Sequence, residues 1–149
     1  MTDPLRMTFE VGCSAEHAFT VWTSGIDGWW PRDHTVTRGE QLQIVLEPRV
    51  GGRVFERTAD GDEHQWGEVT TWDPPERVGY TWFLGTEPAM ATDVEIRFLA
   101  REIDVTEVVI VHSGWERLAD VGAALRDRNH LGWSTLLPHF TAALEQGDA

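Results

Sequence analysis

Six histidines are the first residues to test for chemistry, because an imidazole can ligate a metal or move a proton near neutral pH. Their positions, 17, 34, 64, 112, 130 and 139, contain no H-x-x-x-H pair, and His130 and His139 on a helix would point to opposite sides. With Cys13 as the only cysteine, no metal site is expected. His112 is different, because it shares a strand face with Val108 and Ile110 and so projects toward an enclosed space. There it is either a base or a buried histidine bonded to backbone. Two carboxylates, Glu56 and Glu68, fall in strands of irregular alternation. A buried one would have a raised pKa and could serve as acid or base in enolisation or cyclisation. The favoured reading is ion pairing on the outer face, since Arg53, Arg57 and Arg97 lie in the same part of the chain. If the chain is an enzyme, His112 and Glu68 with water are the catalytic candidates.

Several familiar catalytic motifs are absent, which does not exclude an enzyme whose groups come together only in the fold. None of Ser14, Ser24, Ser113 and Ser134 sits in a G-x-S-x-G elbow, and the glycines never form G-x-G-x-x-G. All 12 basic residues are arginine, so there is no lysine for a Schiff base or a phosphate-binding loop. No cofactor is expected.

The elements that must position these residues show in the periodicity. Leu5, Met7, Phe9 and Val11 alternate with polar neighbours, as do Leu42, Ile44 and Leu46, and then Val94, Ile96 and Phe98. Val78, Tyr80, Trp82 and Leu84 share one face, and so do Thr106, Val108, Ile110 and His112. Segments 53–58 and 64–72 complete the set of strands. Gly51-Gly52, Asp60-Gly61-Asp62 and Asp73-Pro74-Pro75-Glu76 are turn sequences, so neighbouring strands should pair antiparallel. Ser14 can cap a first short helix through Ala18, Phe19 and Trp22, which Gly25 stops before a second turn ending at Trp29-Trp30-Pro31. The stretch from Leu118 through Val121 and Leu125 to Trp133, Leu136, Leu137, Phe140 and Leu144 reads as one long amphipathic helix, or two broken near residues 129–132. Pro138 should bend it.

Eight tryptophans in 149 residues amount to about 40 kcal/mol of gross transfer free energy if all are buried. They either line a site for a flat apolar ligand or fill the space themselves.

Motifs along nearly the whole chain resemble the START-like, Bet v 1-like (SRPBCC) helix-grip superfamily, and within it the bacterial relatives of the Hsp90 ATPase activator. They are Ala18-Phe19-Thr20-Val21-Trp22-Thr23 with Trp29-Trp30-Pro31, Glu47-Pro48-Arg49-Val50-Gly51-Gly52-Arg53, Trp66-Gly67-Glu68-Val69, Trp72-Asp73-Pro74-Pro75-Glu76-Arg77-Val78, His112-Ser113-Gly114-Trp115-Glu116 and Gly132-Trp133. The resemblance implies an α+β fold, a curved antiparallel sheet of about seven strands around a long C-terminal helix, with two short helices after the first strand. It also implies a cavity between sheet and helix, bounded by Trp66, Trp82 and Trp133, with Trp29 and Trp30 near its entrance. Tyr80, His112 and Leu137 complete the expected ligand-binding set. The leading expectation is a module that binds a small hydrophobic or aromatic molecule. The alternatives are an aromatase/cyclase-like or hydrolytic enzyme and a co-chaperone that stimulates an ATPase.

Length and charge bound these readings. A chain of 149 residues with no linker or repeat is expected to be one domain over 1–149. The net charge of −13 opposes nucleic-acid and anionic-membrane partners. The absence of a leader or apolar span points to the cytoplasm. An edge strand or the helix pair would suit a homodimer.

Overall fold

The computed structural model describes residues 3–39, 41–84 and 86–146. Seven strands form one curved antiparallel sheet: β1 (Leu5–Val11), β2 (Gln43–Leu46), β3 (Arg53–Arg57), β4 (Glu63–Asp73), β5 (Arg77–Trp82), β6 (Thr92–Glu102) and β7 (Val105–Ser113). Their order is β1-β7-β6-β5-β4-β3-β2, so β2 to β7 run as a meander and β1 closes on β7. The register pairs Leu5 with His112 and Val11 with Thr106, which puts the alternating apolar residues of β1 beside the inward residues of β7.

The two strands with broken alternation carry bulges, between Val54 and Phe55 against β4 and between Val69 and Thr71 against β5. A bulge shifts which residue faces inward, and the sequence pattern breaks there for that reason. Helix α1 (Ala15–Trp22) starts at Ser14, whose hydroxyl accepts the His17 backbone N–H at 3.1 Å. Short 3₁₀ turns follow at Ile26–Gly28 and Arg32–His34.

Helix α2 (Gly122–Gln146) is continuous through residues 129–132 and through Pro138. The break lies earlier, inside the 3₁₀ segment Trp115–Val121 that precedes α2, where Ala119 takes φ 50° and ψ −122°. Gly122 opens the helix because a Cβ there would sit 2.3 Å from the Trp115 carbonyl oxygen. The change in direction turns Val121 outward, 45% exposed, although spacing placed it in the apolar stripe. Trp133, Leu136, Phe140 and Leu144 form the buried stripe of α2, which covers the concave face of the sheet with α1. No helix among the described residues is long and apolar enough to cross a membrane.

Candidate functional site

Aromatic rings occupy the space between sheet and helices. Trp22 packs on Phe140 at 4.8 Å, on Trp29 at 5.2 Å and on Trp133 at 6.0 Å between ring centres. Trp30 continues the cluster to Trp66 at 5.2 Å and Trp82 at 5.7 Å. Such tilted and offset contacts are the favoured geometry for aromatic pairs. Six of the eight indole N–H groups are bonded, each to a specific acceptor: Trp22 to the Tyr80 hydroxyl, Trp29 to the Val21 carbonyl, Trp30 to the His34 carbonyl, Trp66 to Glu56, Trp115 to the His112 carbonyl and Trp133 to the His112 ring. The deep interior is therefore filled and hydrogen-bonded.

His112 is the junction of helix and sheet. An indole can only donate, so the 3.0 Å bond from Trp133 Nε1 makes His112 Nδ1 an acceptor and leaves the proton on Nε2. Nε2 then donates to Thr92 Oγ1 at 2.6 Å, and the Thr92 hydroxyl faces the Trp82 carbonyl at 3.4 Å. Burial pushes the imidazole down to about 3, so it is neutral, and a proton on Nδ1 would also confront the Trp133 N–H. Both ring nitrogens are committed to the fold. Glu68 is exposed, with its backbone N–H donating to Thr81 Oγ1 at 3.0 Å, and it forms no pair with His112.

Glu56 corrects the ion-pairing expectation. It is fully buried, and its partners are the Val36 N–H at 2.6 Å, the Thr37 N–H at 2.9 Å, the Thr37 hydroxyl at 2.7 Å and Trp66 Nε1 at 2.7 Å. Burial raises its pKa, but these four donors more than offset that and hold it below the ordinary carboxylate value. The arginines pair elsewhere. Arg53 and Arg57 reach Glu63 at 2.9 and 2.8 Å while lying over the Phe55 ring, and Arg97 binds Glu95. Glu56 thus latches the 35–38 segment onto β3.

That segment forms one wall of an open cleft of about 570 Å³ at the mouth of the filled interior. Trp30, Trp82 and Trp133 make its floor, and α2 contributes Arg128, Gly132 and Leu136. Three of the eight expected ligand-binding residues therefore meet at the cleft. Trp29, Trp66, Tyr80 and His112 lie in the packed interior, and Leu137 is half-buried beside Leu136, outside the lining. Arg38, Thr35 and Gly132 were not anticipated. Gly132 alone carried a visible signal, being a glycine inside a helical pattern. A larger concavity of about 760 Å³ between α1 and the β4–β5 turn is lined by charged residues, and its Arg77, Arg97 and Arg101 are paired with Asp73, Glu95 and Glu107. Among the described residues, no group of three or more His, Cys, Asp or Glu could hold a metal.

The family model described as Activator of Hsp90 ATPase homolog 1-like protein matches residues 12–145. The chain belongs to that family. Comparison with curated proteins gives no significant match. Among solved structures, an anthrahydroquino-γ-pyrone synthase is 33% identical, with a TM-score of 0.59 over 85% of each chain. CalC, a self-sacrificing resistance protein from Micromonospora echinospora, is 25% identical, with a TM-score of 0.76 over 99% of this chain and 97% of that one. The Aha1 dimer from Colwellia psychrerythraea shares the fold at 20% identity, with a TM-score of 0.66 over 99% of this chain and all of the other. The helix-grip architecture of this chain is shared with these structures.

Proposed function

We propose that this protein is a single START-like domain that binds a small planar aromatic molecule in the cleft between the 33–38 segment and α2. The observation that carries the reading is the floor of three tryptophan edges in a cleft of about 570 Å³, a size ordinary for small-molecule sites. The 33% identical relative is named for a polycyclic aromatic product, which supports the same class of ligand. A docking face for a chaperone has less support. The exposed large apolar residues, Val36, Val50, Ile103, Val121 and Leu131, lie on loops and helices rather than on strands.

Gly132 provides the test. A Cβ built there meets nothing within 4 Å, so packing does not require glycine, and its effect is to leave room in the cleft. Gly132→Leu should raise stability by about 0.5–1 kcal/mol, the helix propensity regained. It should also weaken binding of polycyclic quinones at least about tenfold, because the added side chain occupies their space. Tryptophan fluorescence titration against thermal unfolding separates the two effects. Undiminished binding by a stabilised Gly132→Leu variant would place the ligand elsewhere and sink the proposal.

A further inference from the structure

We infer that the ligand of this cleft is an aromatic anion, a carboxylate-bearing ring system whose charge is met by Arg38 and Arg128; this rests on the aromatic-binding reading above. The arginine inventory leads to it. Eight of the 12 arginines, 32, 49, 53, 57, 77, 97, 101 and 117, form ion pairs, and Arg126 donates to the carbonyls of Asp3 and Pro4. Arg6, Arg38 and Arg128 are left with no ion pair and no side-chain hydrogen bond among the described residues. Acidic residues outnumber basic ones 25 to 12, so partners for a guanidinium are abundant. Yet two of the three unpaired arginines line the same cleft, and Asp33, the carboxylate among its lining residues, pairs with neither.

The backbone holds Arg38 in place. Its φ of 56° is left-handed, a conformation that crowds the Cβ of a non-glycine residue against its own backbone. The conformation is fixed by the Arg38 N–H donating to Thr35 Oγ1 at 2.9 Å, by the Thr35 hydroxyl donating to the Arg32 carbonyl at 2.6 Å, and by Glu56 clamping the two residues between. Strain supported this closely is characteristic of binding sites. From the opposite wall, Arg128 lies one helical turn before Gly132, on the same face of α2 and beside the space that the glycine leaves open. Two guanidinium groups above a floor of tryptophans are donor-only partners suited to carboxylate oxygens.

The test compares anthraquinone-2-carboxylate with anthraquinone-2-carboxamide, followed by tryptophan fluorescence on wild type and on the Arg38→Gln, Arg128→Gln double variant. The rings are the same and only the charge differs. Wild type should bind the carboxylate about tenfold more tightly than the carboxamide, as charge-assisted hydrogen bonds require. The double variant should lose that preference, its affinity for the carboxylate falling about tenfold more than its affinity for the carboxamide, a result that damage to the fold cannot produce. Equal binding of both probes by wild type overturns the anion inference and leaves the aromatic-binding reading standing. A preference that survives in the double variant overturns the assignment to these arginines. Binding of neither probe overturns both readings.

Discussion

His112→Ala should lower the unfolding free energy by about 3–5 kcal/mol, the scale of deleting a large buried side chain. Three losses add up. The Trp133 N–H is left buried without an acceptor, which costs about 1–3 kcal/mol. Thr92 loses its donor, and the Trp115 ring loses a neighbour whose centre lies 4.3 Å away. His112→Gln, which can still present an oxygen to Trp133, should recover part of this. The pH profile distinguishes a locked neutral imidazole from simple packing. In the unfolded chain this histidine protonates near its ordinary value of 6.5, whereas in the fold it stays neutral down to about 3. The unfolded state therefore binds the extra proton between those values, and stability falls as pH falls by up to about 1.4 kcal/mol per unit. The contribution is complete above about pH 6.5. Urea unfolding should accordingly show the gap between wild type and His112→Gln narrowing from pH 7 to pH 4. An NMR titration of the folded protein placing the His112 midpoint near 6.5 would contradict this account.

The same histidine shows how far the sequence alone carries. Its inward direction followed from period two, and so did the inward faces of β1, β2, β5 and β6, because a pleated strand leaves no other arrangement of side chains. The Ser14 cap and the antiparallel turns were equally legible, being local backbone chemistry. What His112 bonds to was not legible, because Thr92 and Trp133 come from a neighbouring strand and from a helix 21 residues further on. Glu56 illustrates the same limit with a larger consequence. Three nearby arginines made an ion pair the natural reading, yet its donors are two backbone N–H groups, a hydroxyl and an indole, none of which sequence spacing can rank. The tryptophans sort by depth in a way their number does not reveal. Trp22, Trp29 and Trp66 fill the interior, while Trp30, Trp82 and Trp133 have edges at the cleft.

Because the cleft wall hangs on Glu56, replacing it should affect both folding and binding. Glu56→Ala leaves the Trp66 N–H buried and unpaired, and it frees the Val36 and Thr37 amides, which lie in an exposed segment and can be met by water. A loss of about 2–4 kcal/mol is expected from hydrogen bonds to a charged acceptor. Glu56→Gln keeps the shape but should still cost about half as much. Its amide NH₂ must replace one carboxylate oxygen, and each oxygen already accepts from a backbone or indole N–H that cannot accept in return. The direction with pH follows from the lowered pKa of the folded carboxylate. Its stabilisation is complete above the ordinary value of 4.5 and disappears as pH falls through the lower folded value, so the wild-type advantage over Glu56→Gln should shrink only in that acid range. Hydrogen exchange locates the effect. The Val36 and Thr37 amides should be protected in wild type and exchange much faster in either variant, while β7 amides change only with global stability. The loosened segment also carries Arg38, so binding of an aromatic carboxylate should weaken in Glu56→Gln more than binding of its neutral amide. If the Val36 and Thr37 amides exchange at the wild-type rate in Glu56→Gln, the latch is not what holds this wall, and the left-handed Arg38 must be supported by Thr35 alone.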